Sequence, residues 1–362
     1  MLENPWKILL ISTPVGPLGS GLGGGVELTL LNMAKALKKR GHCITVVAPQ
    51  GSLLEEFPLV EIAGQFQPIA QNQTRDALIQ LPENAVLANM WNYGRQHQAD
   101  YDLIVNFAFD WLPFYLTPFF TTPIAHCVSM ASLITAIDQV ILAVMAQFPG
   151  TVAFCTHSQA ATFALEGPYA CIQGGLDLSR YQFCGEPGPA LAWMGRIAPE
   201  KGLEDAVAAV DQLGIPLTIF GKLQDPDYWQ DIRRRYPNAP LDYRGFLDTD
   251  NLQAGLRQCR ALLMTHRWLE AFGNVAMEAL ACGVPVISYD RGGPAEIVRH
   301  GQTGWLVEPD QVAGLVGAIA RLDQIDRQQC RAQAEQEYSL AAFGDRLAQW
   351  FQGIIAANTD PA

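Results

Sequence analysis

The sequence predicts an α/β protein built from two doubly wound, parallel-sheet domains, and three observations carry this. Short apolar runs alternate with helical patterns from one end of the chain to the other. The length, 362 residues, is natural for two domains of ordinary size. A Gly/Pro-rich stretch at Phe183–Pro189, FCGEPGP, divides one alternating set from the next and reads as an interdomain linker.

The first set opens with a buried strand over Lys7–Ser12, a Gly/Pro loop and a helix over about Val26–Arg40. Gly41 caps that helix, and Ile44–Ala48 is the next strand. This is a βαβ unit with its glycine loop at the carboxyl end of the first strand. Further strands are expected at Leu103–Asn106, Pro123–His126 and Thr151–Cys155, while Gln71–Asn84 reads as loop and short helix. In the second set, strands are expected at Ala190–Met194, Leu217–Phe220, Asp242–Gly245, Ala261–Thr265, Val284–Tyr289 and Gly304–Val307. One helical pattern then runs from about Val312 to Glu337. A last helix over Ala341–Ala357 carries Phe343, Leu347, Trp350, Phe351 and Ile354 on one stripe.

With 49% hydrophobic and 17% charged residues, both halves can build a core. No apolar run reaches membrane-spanning length, and the first strand is too short for a signal-peptide core. Eight cysteines without a C-x2-C pair lack the spacing of a structural zinc site and fit a reducing, cytoplasmic compartment. Net charge is −12. Residues 1–185 hold 8 Lys+Arg against 13 Asp+Glu, and the remainder 16 against 23, so neither half is basic. That argues against nucleic acid and against stable association with an anionic membrane, and favours a soluble acceptor. The oligomeric state stays open.

The richest segment is Leu269–Val286, LEAFGNVAMEALACGVPV. Glu270 sits just before a helix and Glu278 two turns along it; Gly283-Val284-Pro285 ends the helix and starts a strand. First-turn amides near Phe272, Gly273, Asn274 and Val275 favour a phosphate. A carboxylate accepts two hydrogen bonds from a vicinal diol. Diphosphate at a helix start, with sugar hydroxyls held by flanking glutamates, describes a nucleotide-sugar site. Upstream, Arg196 closes a strand and Lys201 follows in a turn, where two cations can neutralise a diphosphate leaving group.

This segment resembles the E-x7-E signature of the family-four retaining glycosyltransferases of GT-B fold. Gly195-Arg196 with Lys201-Gly202 is similar to the family's G-R-x4-K-G. The run Gly292-Gly293-Pro294-Ala295-Glu296-Ile297-Val298, with Gly301 and Thr303-Gly304, is similar to the segment that follows E-x7-E, and Gly23-Gly24-Gly25 stands where the family has its glycine loop. The resemblance covers nearly the whole chain. It implies two Rossmann-like parallel-sheet domains facing a cleft. The acceptor domain would be 1–184 plus a returning C-terminal helix 341–362, and the nucleotide-sugar domain 185–340. It assigns Arg196 and Lys201 to the donor diphosphate, Glu278 to ribose hydroxyls and Glu270 to the transferred sugar. Gly24 and Gly25 go over the phosphates, and His126 beside the sugar. Thr265-His266-Arg267-Trp268 departs from many relatives, which have a serine and a short loop before the first glutamate.

Three features have plainer readings beside the sharp ones. Asp248-Thr249-Asp250 looks like a D-x-D metal motif, but it precedes a helix, and a capping aspartate explains it; the resemblance implies that Phe246 and Leu247 lie near the nucleotide base. The Gly19–Gly25 loop lacks a dinucleotide fingerprint. Phe107, Phe109, Asp110, Trp111, Phe114 and Tyr115 cluster after one strand, either as core packing or as an acceptor pocket for a flat ring anchored on Asp110. The run STPVGPLGSGLGGGVELTL resembles that of glucosyltransferases modifying tetrahydrobiopterin.

The expectation is therefore a retaining, metal-independent hexosyltransferase without a cofactor, moving glucose from UDP-glucose to a small acceptor such as a reduced pterin. The open alternatives are a lipid or saccharide acceptor, a nucleotide-sugar epimerase of the same fold, and an inert binding protein.

Overall fold

The computed structural model of the protein describes residues 5–20, 24–68 and 70–359. Gly21, Leu22 and Gly23 of the glycine loop, and residues 360–362, lie outside the described residues. The chain forms two units, Met1–Gly175 with Leu340–Ala362, and Leu176–Ser339.

In the first unit the elements run β1 (Lys7–Ile11), α1 (Gly25–Lys39), β2 (Cys43–Pro49), β3 (Leu59–Ile62), α2 (Val86–His97), β4 (Leu103–Asn106) and α3 (Trp111–Leu116). Then come β5 (Ile124–Val128), α4 (Thr135–Gln147), β6 (Val152–Phe154), α5 (His157–Ala160) and β7 (Ala170–Cys171). All seven strands are parallel, in the order β3-β2-β1-β4-β5-β6-β7. Strand side chains alternate between faces, so each strand must be apolar on both sides to be covered twice. Ile8 and Leu10 of β1 join one buried cluster with α1, while Leu9 and Ile11 join another with α2.

The second unit holds β8 (Leu191–Met194), α6 (Leu203–Leu213), β9 (Leu217–Phe220), α7 (Pro226–Arg235), β10 (Leu241–Gly245), α8 (Thr249–Leu256) and β11 (Leu262–Met264). It continues with α9 (Asn274–Ala281), β12 (Val286–Tyr289), α10 (Gly293–Ile297), β13 (Gly304–Val307), α11 (Val312–Ile319) and α12 (Arg327–Glu337). Its sheet is also wholly parallel, in the order β10-β9-β8-β11-β12-β13. Both sheets therefore reverse their strand order once, between β1 and β4 and between β8 and β11. Ligands of such sheets bind outside the carboxyl ends of the strands at the reversal.

The last helix, α13 (Leu340–Thr359), belongs to the first unit. It packs on α1 through Phe343, Leu347, Trp350, Phe351 and Ile354, all buried. Trp350 Nε1 donates to the Gly150 carbonyl at 2.7 Å, and Arg346 donates to the carbonyls of Ile172 and Gly174. Two parallel-sheet units with the final helix returned to the first form the GT-B architecture.

Three expectations change. The chain crosses between units at Gly175–Leu176, upstream of the stretch 183–189, which is fastened to the second unit. There Gly188 N donates to Gln258 O at 2.7 Å, Arg327 Nε donates to Cys184 O at 2.7 Å, and the Phe183 ring lies against Gly283. The helical pattern over 312–337 is two helices, because Asp326 accepts from Gln328 N and starts α12 afresh. The edge strands of the first sheet are absent from the expected set: β3 is three half-buried residues and an exposed Glu61, and β7 is two residues long.

Phe343 is fully buried, and its side chain fills the space that a Cβ on Gly175 would need. Phe343→Ala should therefore lower the unfolding free energy by about 3–5 kcal/mol, read as a shift in the urea midpoint at unchanged slope.

Candidate nucleotide-sugar site

The reversal between β8 and β11 places two loops side by side in the second unit. After β8 come Gly195, Arg196 and a short turn over Pro199–Lys201; after β11 comes the segment from Thr265 to Gly273. They are tied together at several points. Thr265 Oγ1 donates to Gly202 O at 2.7 Å, and Trp193 Nε1 donates to Thr265 Oγ1 at 3.1 Å. Arg267 N donates to Glu200 O at 2.9 Å, while its guanidinium pairs with Glu204 at 3.0 Å and Asp205 at 2.9 Å. Arg196 pairs with Glu200 at 3.1 Å and also reaches Gln224. His266 Nε2 lies 2.8 Å from Arg291 O, Arg291 Nη1 donates to His266 O, and Arg291 pairs with Asp310 at 2.6 Å. The Thr-His-Arg-Trp departure thus acts as a brace.

Lys201 Nζ forms an ion pair with Glu270 Oε2, and both side chains keep about a fifth of their surface exposed. Trp268 Nε1 donates to the same oxygen at 3.1 Å. Burial pushes the Glu270 carboxyl up, but the Lys201 charge and hydrogen bond, with His266 and Trp268, hold it below the usual carboxylate range.

Helix α9 begins at Asn274, and its N-cap Gly273 has φ +98°, which L side chains rarely adopt. The run Gly292-Gly293-Pro294 supports this turn from behind. Gly293 N donates to Glu270 O at 2.7 Å, and a Cβ on Gly292, itself at φ +67°, would lie 2.7 Å from that oxygen. The glycines after E-x7-E are there because the backbone of Glu270 lies against them. Phe272 is buried, its ring edge-on to Tyr338, and Asn274 and Val275 are half-buried at the helix start.

Glu278 is also buried, but its partner is neutral. Tyr181 Oη donates to Glu278 Oε1 at 3.0 Å. Burial raises the carboxyl to about 7, against the lowering effect of that hydrogen bond. Tyr181 is 97 positions away in sequence, and no local pattern marks it. Leu247 is half-buried after β10 and Phe246 is exposed. Asp248 caps α8, accepting from Asn251 N at 2.9 Å, and Asp250 pairs with Arg180 at 3.0 Å. Among the described residues, no three His, Cys, Asp or Glu side chains are grouped to hold a metal ion, and no helix is long and apolar enough to cross a membrane.

In the first unit the reversal between β1 and β4 carries the described part of the glycine loop and the residues after Asn106. Gly24 and Gly25 are exposed at the start of α1, and Glu27 Oε2 reaches back to accept from Gly19 N at 2.9 Å. Asp110 caps α3 through Leu112 N and accepts from Gln67 Nε2 at 2.8 Å; burial raises its carboxyl, against both hydrogen bonds. Gln67, Phe109, Asp110, Leu78, Ile79 and Ile137 are among the residues lining a cavity of about 340 Å³. Gln67 was not among the sequence candidates, since it belongs to a stretch without periodicity. Trp111 stacks on Tyr115 at 4.3 Å and packs against the buried cluster around α4.

His126 differs from its expected place. It lies within β5 rather than at its end and has no solvent exposure. Asn106 Nδ2 lies 3.2 Å from its Nδ1, Nε2 lies 2.9 Å from Thr117 Oγ1, and the ring stacks on Phe114 at 4.3 Å. Burial lowers it to about 3, so the ring is neutral. These are the contacts of a core histidine.

Residues 185–337, all within the second unit, match the family described as glycosyl transferases group 1. Over an alignment of 177 positions covering 46% of the chain, the sequence is 36% identical to glycogen synthase of Mycobacterium tuberculosis; the match spans 42% of that protein's length. Over 89% of the chain and 84% of the relative, the sequence is 24% identical to D-inositol 3-phosphate glycosyltransferase of Rhodococcus erythropolis. Among solved structures, Alr3699/HepE of Anabaena in complex with UDP superposes with a TM-score of 0.76 at 19% identity, over 96% of this chain and all of that one. That likeness establishes a shared fold.

Because Glu278 is pushed up to about 7, folding favours its protonated form. The unfolded carboxyl loses its proton near the ordinary glutamate value of about 4.3. Stability from this group is therefore complete at acid pH and is lost as pH rises from there to about 7. Glu278→Gln keeps an acceptor for Tyr181 and should flatten that decline. Thermal melts across this range, with the variant gaining on wild type toward pH 8, check the assignment.

Proposed function

We propose that the chain is a retaining glycosyltransferase that takes a hexose from a UDP-sugar, UDP-glucose in the first instance, and places it on a hydroxyl acceptor. The observation that carries this reading is the gathering of Arg196, Lys201 and Glu270 with the start of α9 at the strand reversal of the second sheet. Arg196, Lys201 and the amides near Gly273 would meet the charge that develops on the departing diphosphate, where electrostatic stabilisation acts most strongly. Phe272, Asn274 and Val275 would add backbone contacts, with Leu247 near the base. Glu278 would accept from the ribose and Glu270 from the sugar. Gly24 and Gly25 would cover the phosphates. No enzyme nucleophile is assigned: the diphosphate oxygen would take the acceptor proton on the face from which it leaves. Two fixed cations supply the charge neutralisation, so activity should persist in chelator.

The names of the relatives support a saccharide or cyclitol acceptor. A small flat acceptor such as a reduced pterin is the second reading, favoured by the cavity beside Phe109 and Asp110. Trp111, packed against α4, would support its wall.

Incubating the protein with UDP-glucose and a panel of saccharides, cyclitols, lipids and reduced pterins, with products identified by mass spectrometry, tests both readings. Turnover of UDP-glucose to another UDP-sugar without acceptor would instead identify an epimerase. Lys201→Ala and Arg196→Ala should each slow transfer by about 30-fold to 1000-fold, corresponding to roughly 2–4 kcal/mol in the transition state. Full activity in either variant would remove these cations from the mechanism.

A further inference from the structure

Trp268 touches both members of the Lys201–Glu270 pair. Its indole N–H donates to Glu270 Oε2 at 3.1 Å, and its ring centre lies 4.6 Å from Lys201 Nζ. The segment carrying it is held by its neighbours, Arg267 on Glu200, Glu204 and Asp205, and His266 on Arg291. The backbone that carries the indole is therefore anchored by contacts other than Lys201.

This geometry bears on a difficulty in the proposed donor site. In the structure the ammonium that would hold a diphosphate is closed onto the carboxylate that would hold a sugar. A nucleotide sugar must separate them, and separating a partly buried pair leaves each charge without its partner. Trp268 supplies a second partner to both. The carboxylate keeps a charge-assisted hydrogen bond from Nε1, and the ammonium keeps the face of the ring.

We propose that Trp268 is a positioning residue that lets the Lys201–Glu270 ion pair open onto a nucleotide sugar, holding the carboxylate by its N–H and the ammonium by its ring. The proposal rests on the donor-site reading above. It goes further by assigning a role to a side chain in the segment that departs from many relatives. Two substitutions separate the two contacts: Trp268→Phe keeps a ring and removes the N–H, and Trp268→Leu removes both.

Calorimetric titration of the whole protein with UDP-glucose and with UDP distinguishes the outcomes. For Trp268→Phe, UDP-glucose should bind about tenfold more weakly, the usual effect of losing a hydrogen bond to a charged group, while UDP affinity changes less than about twofold. Trp268→Leu should weaken both ligands. The groups acting on Glu270 are Lys201 and His266, beside the indole; burial lowers His266 below its ordinary value. Removing the indole N–H removes one of the influences favouring the charged carboxylate. The loss of UDP-glucose affinity on acidification should therefore begin at higher pH in Trp268→Phe. A double variant with Glu270→Gln should bind UDP-glucose no worse than Glu270→Gln alone, which holds the test to the indole–carboxylate contact.

Equal weakening of UDP and UDP-glucose by Trp268→Phe, with an unmoved pH profile, would reduce Trp268 to packing. Wild-type affinity for UDP-glucose in that variant would also overturn the role. Failure of the wild-type protein to bind either ligand would overturn the UDP-sugar reading itself, and the role of Trp268 with it.

Discussion

The reversal of strand order in each parallel sheet is the constraint on which the rest of the molecule depends. Parallel strands need crossovers, and crossovers of one hand place successive helices on one face while the strand order runs in one direction. When the order turns, from β10-β9-β8 to β11-β12-β13, the connections leaving β8 and β11 go to opposite faces. Their loops meet at the carboxyl ends, where Thr265 is tied to Gly202 and Arg267 to Glu200. Arg196 follows the first of these strands and Glu270 the second, so residues far apart in sequence share one site.

Within that site, two glutamates from one sequence pattern come to opposite electrostatic ends. Glu270 meets an ammonium and an indole N–H and is held in its charged form. Glu278 meets a phenol, and burial favours its proton. The difference comes from what the fold carries to each of them. The turn after β8 delivers Lys201 to the loop before α9, and the chain entering the second unit delivers Tyr181 to the helix. A carboxylate matched by a cation stays ionised, and one matched only by a neutral donor gives up charge more readily.

The Gly-Gly-Pro run acts one layer behind the E-x7-E segment. Gly292 and Gly293 have no room for a side chain because the Glu270 and Phe272 backbones occupy that space. Pro294 closes on Gly273 in the same way. The run sets where the glutamate and the helix start are held.

The sequence by itself was enough for the alternation of strands and helices and the two parallel sheets, and the family resemblance supplied the return of α13. Each rests on local periodicity, on caps such as Asp248, or on a motif read in family order. The small edge strand β3, the break between α11 and α12, and the crossing at Gly175–Leu176 were less legible, since short elements carry little periodicity and a Gly/Pro stretch can be fastened as readily as it can be loose. Only the tertiary structure decided that His126 is enclosed by Asn106, Thr117 and Phe114, that Tyr181 is the partner of Glu278, and that Trp268 stands between Lys201 and Glu270. A residue's partners across a parallel sheet are set by strand order and crossover, which local sequence does not encode, and so burial and charge state at a site are properties of the fold.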